Sequence, residues 1–237
     1  MKKILLIDNN IDPPYGCAEI REELEKAAAG LFPITVESAR APDSALPVDF
    51  SGIDGVVISG SKTRIFENAP WIEMEMEALR SLHCLRIPTL GICYGEQLMV
   101  RALAGEAFTG ASKVSEYGWV RVDLTEAAKK SAIFASLPKS FTSFGFHSDE
   151  VYRLPSNFLL AAKSERCAVQ AFDVLDAPMW GVQFHPERGL VAGNQGLDRR
   201  KKNNPEQEIL GRDLGETHYD PQVAHHIFKN FLQQLKG

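Results

Sequence analysis

Cys93 lies between two glycines in the run GICYG at residues 91–95. A short apolar segment precedes the run and a segment with helical spacing follows it, which is the pattern of a nucleophile elbow with sulfur in place of oxygen. Such a turn exposes the central side chain at a helix N-terminus, where the helix dipole favours thiolate over thiol. The spacing predicts that Cys93 is a nucleophile. A buried, unreactive cysteine is the alternative.

A histidine and a carboxylate that could serve this sulfur occur in the run HPE at residues 185–187. In extended backbone, residues i and i+2 point the same way, so His185 and Glu187 can lie side by side. Glu187 can then accept a hydrogen bond from one imidazole nitrogen and leave the other nitrogen for Cys93. The motif predicts a Cys–His–Glu triad, with a surface turn as the alternative.

Acyl transfer also needs donors for a tetrahedral oxyanion. Gly60 follows the apolar run VVIS at residues 56–59, and a small-residue turn there can present backbone N–H groups. We predict that the N–H groups of Gly60 and Tyr94 form the oxyanion hole. Without the cysteine motif, Gly60 would be read as an ordinary turn.

The elements that must position these residues alternate between strand and helix in the first half of the chain. Strands are predicted at residues 4–7, 34–36, 55–60 and 88–92, and helices at 18–29, 70–83 and 96–103. This order predicts an α/β fold: a mostly parallel open sheet flanked by helices, flavodoxin-like. Additional strands are expected at 119–124, 141–146, 158–162, 168–172 and 179–184, and residues 1–237 are expected to form a single domain.

Composition limits the kind of partner. The chain has 237 residues, 44% of them hydrophobic, and a net charge of −5, which argues against nucleic acid as a ligand. It lacks an apolar run of membrane-spanning length, so we expect a cytoplasmic protein without a membrane partner. The four scattered cysteines form no metal-ligand pattern. We expect no metal and no cofactor, and we expect Cys17, Cys84 and Cys167 to be buried and inert.

The segment at residues 188–217 differs from the rest because it is polar, glycine-rich and contains the basic run RRKK at 199–202. We predict a solvated loop, with a lid or partner-docking flap as the alternative. Residues 221–235 are predicted to form a C-terminal helix with one apolar face.

Taken together, the runs GICYGEQ at 91–97 and GVQFHPE at 181–187 resemble the motifs of class I (triad-type) glutamine amidotransferases. ISGS at 58–61 corresponds to that family's oxyanion loop and FHSD at 146–149 to its substrate-binding strand end. The motifs are most similar to the amidotransferase part of GMP synthase. The chain departs from the family in having Ser61 and Lys62 after Gly60, where a second glycine is usual, and in the long segment after Glu187.

The resemblance implies a mechanism. Cys93 would attack the side-chain amide of glutamine, giving a γ-glutamyl thioester and ammonia, while His185 acts as base and then acid and Glu187 orients it. Gln97 would contact the amino-acid end of the substrate, and the backbone near Ser148 and Asp149 would help to hold it.

Since no nucleotide-binding P-loop is present, an amidotransferase of this kind would pass its ammonia to a separate ATP-dependent synthetase subunit. Three other functions stay open. The protein could be a free-standing γ-glutamyl peptide or amine hydrolase. From another class, the chain could be a catalytically silent, flavodoxin-like binding or regulatory module. A redox sensor built on Cys93 is the last alternative.

Overall fold

The computed structural model describes residues 1–235, so the last two residues of the predicted domain lie outside the described part. Within that part, nine strands form one sheet in the order β2-β1-β3-β4-β9-β8-β7-β5-β6. The strands are β1 Lys2–Asp8, β2 Ile34–Arg40, β3 Gly55–Ile58, β4 Thr89–Ile92, β5 Thr109–Leu124, β6 Ser140–Val151, β7 Phe158–Lys163, β8 Ala171–Val174 and β9 Met179–Val182. The α-helices are α1 Ala18–Ala28, α2 Pro70–Leu85, α3 Tyr94–Ala104, α4 Leu190–Asn203, α5 Arg212–His218 and α6 Pro221–Leu232.

The five strands from β2 to β9 in the sheet order are parallel to one another. β3, β4 and β9 are buried along their whole length, as expected of strands covered by helices on both faces. Their carboxyl ends meet at one edge of the sheet. β3 leads there to Gly60, β4 to Cys93 and β9 to His185, so the three predicted motifs converge because of the sheet topology.

The remaining strands continue the same sheet in antiparallel pairs. β5 pairs with β6 along most of its length, with an irregularity between Ala111 and Glu116. This pairing carries β6 on to Val151, so the predicted strand end at residues 146–149 lies inside a strand. The predicted fold class, a mostly parallel α/β sheet with additional strands in the second half, is confirmed.

Helices cover both faces of the sheet. One apolar core includes residues of α1 and α6, and the other includes residues of α2 and α3. α6 presents its apolar side chains to the first core, among them Ile227 and Phe231, which are fully buried. Among residues 1–235 no helix is both long enough and apolar enough to cross a bilayer.

The expectation of a solvated loop at residues 188–217 is wrong, because α4 and α5 lie there. Leu197 is fully buried in a small apolar cluster with Trp119 and Phe144. A methyl group on Gly193 or Gly215 would lie 2.7 or 2.4 Å from the Trp119 ring, so glycine permits this close packing. Gly193, Leu197 and Gly215 are the buried residues of α4 and α5, so the segment lacks the repeated large apolar side chains that would indicate a helix.

Candidate active site

Cys93 occupies the turn between β4 and α3 with φ 52° and ψ −107°, a conformation that non-glycine residues rarely adopt. Its N–H donates to the carbonyl of Val182 on β9 at 2.7 Å, which fixes the turn to the neighbouring strand. A methyl group on Gly91 would lie 2.6 Å from the carbonyl oxygen of Gly95, and one on Gly95 would lie 2.7 Å from that of Ile58. Both glycines are therefore needed for the backbone approach that the motif predicts.

His185 follows β9, and its N–H donates to the carbonyl of Phe144 on β6 at 2.8 Å. Its Nδ1 lies 2.7 Å from Oε1 of Glu187, and Glu187 is 9% exposed. The structure thus places histidine and carboxylate side by side, as the i, i+2 spacing predicts.

Gly60 lies where the cysteine and histidine meet. A methyl group on Gly60 would lie 2.9 Å from Cε1 of His185 and 3.4 Å from Cβ of Cys93. Only a residue without a side chain leaves room there. Tyr94 follows Cys93 at the first position of α3, so both predicted oxyanion donors border the cysteine.

The electrostatics of these groups favour a charged imidazole. Burial alone lowers the pKa of His185, but the Glu187 carboxylate and the hydrogen-bonded Cys93 sulfur raise that pKa to about 10. Burial alone raises the pKa of Glu187, yet the ion pair with His185 holds the pKa below its usual value. The Glu187 carboxylate and the Cys93 sulfur thus both favour the protonated form of His185.

A buried network that the sequence analysis missed supports the Gly60 turn. The N–H of Asn9 donates to Oγ of Ser59 at 2.9 Å, and Ser59 in turn donates to the carbonyl of Gly60 at 3.0 Å. Nδ2 of Asn9 donates to Oε1 of Glu75 on α2 at 2.9 Å. Burial raises the pKa of Glu75 to about 8, although this hydrogen bond opposes the shift. A glutamate on the apolar face of α2, beside Ile72 and Met76, was the sequence signal for this network.

Cys93 lines a pocket of about 190 Å³, together with Gln97, Ser148 and Asp149. The other lining residues are Ser61, Lys62, Thr63, Arg64, Tyr94, Tyr117, Phe146, His147 and Arg200. A larger and more open groove of about 530 Å³, lined by Glu25 and residues 28–34, contains none of these. The predicted substrate residues therefore share one pocket with the predicted nucleophile.

Contacts within the protein limit how some of these residues could serve a ligand. Nε2 of Gln97 donates to the carbonyl of Asp149 and to Oε1 of Gln183, both at 2.8 Å, so only its oxygen is left for a substrate. The Asp149 carboxylate accepts from Arg64 at 2.6 Å and from the N–H of Ile65 at 2.9 Å. The Asp149 side chain thus holds the loop after β3 to β6, and its carbonyl oxygen already has Gln97 Nε2 at 2.8 Å and His147 Nδ1 at 2.9 Å.

One buried group among residues 1–235 has the residue types of a metal site. The ligand atoms of Glu116, His147 and Cys167 all lie within 4.8 Å of one another. The Glu116 carboxylate, however, already has His147 Nε2 at 2.9 Å and accepts from Gln170 and Ser164 at 2.7 Å each. These hydrogen bonds form a buried network in which His147 of β6 is joined to Glu116 of β5.

The expectation about the other cysteines needs correction. Cys167 is buried, but Cys17 is half-buried and Cys84 is exposed. Cys84 lies near the end of α2 and is not part of the buried face of that helix. A thiol reagent would therefore reach Cys84, which must be controlled in labelling experiments.

The sequence matches the family "Glutamine amidotransferase class-I" over residues 20–200. The chain therefore belongs to the class I glutamine amidotransferases, and the predicted family, with a cysteine-dependent amidotransferase as its enzyme type, is confirmed. Among its relatives is a glutamine-hydrolysing GMP synthase subunit of Pyrococcus abyssi, 33% identical over 156 residues, or 65% of this chain and 78% of that protein. The glutamine-hydrolysing GMP synthase of Porphyromonas gingivalis is 34% identical over 146 residues, which cover 62% of this chain but only 27% of that longer protein.

Solved structures share the architecture. A glutamine amidotransferase from Thermotoga maritima superposes with a TM-score of 0.78 at 19% identity, covering 99% of this chain and 97% of that chain. A putative GMP synthase subunit from Thermoplasma acidophilum has a TM-score of 0.62 at 27% identity, covering 98% and 93%. The fold therefore extends over nearly the whole chain, including the region of α4 and α5.

Proposed function

We propose that this protein hydrolyses the side-chain amide of glutamine and releases ammonia. The observation that carries the proposal is the convergence of Cys93, His185 and Gly60 beside a small pocket, with Glu187 behind the histidine. Pockets that hold drug-sized ligands occupy roughly 300–1,000 Å³. A pocket of about 190 Å³ suits a substrate as small as one amino acid.

The first half-reaction forms the thioester. The Cys93 thiolate attacks the amide carbon, and the amide oxygen becomes an oxyanion that accepts hydrogen bonds from the N–H groups of Gly60 and Tyr94. The imidazolium of His185 donates its proton to the leaving nitrogen, the C–N bond breaks and ammonia departs. His185 is left neutral.

The second half-reaction restores the enzyme. Neutral His185 takes a proton from water, the resulting hydroxide attacks the γ-glutamyl thioester, and the C–S bond breaks. Glutamate leaves and the thiolate–imidazolium pair is regenerated. Glu187 holds the imidazole through Nδ1 and stabilises its positive charge in both half-reactions.

For the substrate we propose that the oxygen of Gln97 and the backbone at Ser148 and Asp149 contact the amino-acid end of glutamine. The position of all three in the pocket that holds Cys93 supports this assignment. We further propose that residues 1–237 act as one amidotransferase domain in the cytoplasm.

The ammonia acceptor is proposed from the relatives. GMP synthase subunits from Pyrococcus abyssi and Methanococcus aeolicus match 65% and 57% of this chain, which favours transfer to a separate ATP-dependent synthetase subunit. A free-standing γ-glutamyl hydrolase is the second candidate, because Arg200 of α4 lines the pocket and could complete a substrate site within this chain.

Ammonia release from L-glutamine tests the proposal. We expect steady turnover by the wild-type protein and none by Cys93→Ala, while the exposed-thiol control Cys84→Ala keeps wild-type turnover. γ-Glutamyl dipeptides measured in parallel separate the two candidates, since a peptide hydrolase would prefer them to glutamine. Absence of turnover with every γ-glutamyl compound would contradict both.

A further inference from the structure

α4 brings a cation to the pocket from a segment that follows the His–Glu motif. Gly193 and Leu197 hold the helix against Trp119 and Phe144, and Nε1 of Trp119 donates to the side chain of Asn194 on the same helix at 2.9 Å. These contacts fix the rotation of α4. As a result Arg200, in its last turn, lines the pocket that contains Cys93.

The cations that line this pocket differ in their partners. Lys62 pairs with Asp12 at 3.0 Å and Arg64 with Asp149 at 2.6 Å. Arg200 forms no ion pair with any carboxylate among residues 1–235, the described part of the chain. Of the lysine and arginine side chains that line the pocket, Arg200 is therefore the one whose charge is available to an anionic ligand.

The guanidinium of Arg200 is also held in place. Its Cζ lies 4.2 Å from the ring centroid of Tyr117, which lines the same pocket, and Nη2 donates to the side chain of Gln207 at 3.0 Å. Nε is buried and has no hydrogen-bond partner within residues 1–235. Stacking and one hydrogen bond orient the group, and a buried N–H donor is still unused, which is costly unless a ligand accepts from it.

We propose that Arg200 binds the α-carboxylate of the substrate and thereby selects glutamine and other γ-glutamyl compounds; this rests on the proposed function. A planar guanidinium matches a carboxylate with two parallel hydrogen bonds. A small pocket with a nucleophile and a fixed cation requires a substrate with an amide carbon at one end and an anion at the other. Arg200 is thus a specificity-determining residue of the substrate site, supplied by α4.

Kinetics with two substrates test the proposal. L-Glutamine carries the α-carboxylate, whereas L-glutamine α-amide lacks that charge and keeps the reacting side chain. Replacing Arg200 by Gln is expected to lower kcat/KM for L-glutamine by about 10- to 100-fold, mainly through KM, and to leave the α-amide unchanged. Arg200→Lys should recover part of the loss. Arg199→Gln, an exposed neighbour on α4, is the matched control and should behave as wild type.

Other outcomes overturn the proposal. An equal loss with both substrates would mean that Arg200 only supports the fold, and an unchanged kcat/KM for L-glutamine would remove Arg200 from binding. With γ-glutamylglycine as a third substrate, a loss confined to this dipeptide would assign the guanidinium to the glycine carboxylate and contradict the α-carboxylate assignment.

Binding separates this proposal from the proposed function. In the Cys93→Ala background, calorimetry with L-glutamine measures affinity without turnover, and Arg200→Gln should weaken binding by the same factor. Binding that depends on Arg200 in a protein without wild-type turnover would defeat only the glutaminase proposal. Turnover of L-glutamine that is unchanged in Arg200→Gln would defeat only the Arg200 proposal. A protein that neither binds nor hydrolyses L-glutamine would overturn both proposals.

Discussion

Glu187 is the carboxylate on which the protonation state of His185 depends. It lies 2.7 Å from the imidazole and, with Cys93, raises the pKa of His185 to about 10 against the effect of burial. In the proposed mechanism the imidazolium is the acid that protonates the leaving nitrogen, so kcat/KM should fall as pH rises through this pKa.

Replacing Glu187 by Gln should therefore have two effects. Turnover should fall roughly 100-fold or more with little change in KM, and the alkaline decline of kcat/KM should move to lower pH because the anion that raises the pKa is gone. The pH profile of ammonia release measures both. Unchanged turnover in the variant would remove Glu187 from the mechanism.

The placement of the candidate catalytic residues could be predicted from sequence because their neighbours allow few backbone conformations. Two glycines around Cys93 are required by backbone contacts of 2.6 and 2.7 Å, so the motif itself specifies the turn. The contacts of Asn9 with Ser59 and Glu75 were not predictable, since they join segments 50 and 66 residues apart. Local spacing carries no information about such pairs.

At the level of elements, α2 and β3 share the buried network behind Gly60. Glu75 is fully buried with one hydrogen bond, from Asn9, and the pKa of Glu75 is raised to about 8 from a usual 4.5. The native state therefore holds this proton over a pH range in which the unfolded chain has released it. The free energy of unfolding should fall as pH rises from 4.5 to 8.

Glu75→Gln keeps the shape and removes the titration. Its free energy of unfolding relative to wild type should increase from pH 5 to pH 8, by the order of a few kcal/mol. Denaturant unfolding at several pH values measures this, with the exposed Glu77→Gln on the same helix as the control. If the free energies of unfolding of Glu75→Gln and wild type change with pH in the same way, the assignment of a neutral Glu75 carboxyl is contradicted.

β6 and the 188–217 segment are the elements that sequence analysis described least well. β6 extends to Val151 because β5 begins at Thr109 and pairs with it, a partner that the sequence of β6 does not reveal. α4 has Gly193 and Leu197 as its buried residues, and so few apolar side chains give no clear helical period.

In the whole molecule, the sheet brings the carboxyl ends of β3, β4 and β9 to a common edge, and α4 adds Arg200 to the lining of the pocket there. The packing of α4 against the sheet depends on Leu197, which is fully buried beside Trp119. Truncating a buried leucine to alanine costs about 2–5 kcal/mol.

Leu197→Ala should therefore loosen α4 without disturbing the main sheet. We expect faster tryptic cleavage within the basic run at 199–202 and a higher KM for glutamine, while Cys93 stays reactive. Limited proteolysis followed by mass spectrometry measures the first effect, and Val191→Ala, an exposed position on the same helix, is the control. Cleavage at the wild-type rate would show that α4 is not held through Leu197.

The most direct test of the account is covalent labelling with a glutamine-like diazo-ketone, read by intact mass. One adduct per chain is predicted for wild type and for Cys84→Ala, and none for Cys93→Ala, with peptide mapping placing the adduct on Cys93. Labelling that persists in Cys93→Ala and disappears in Cys84→Ala, or no labelling of wild type at all, would contradict the assignment of Cys93 as the nucleophile.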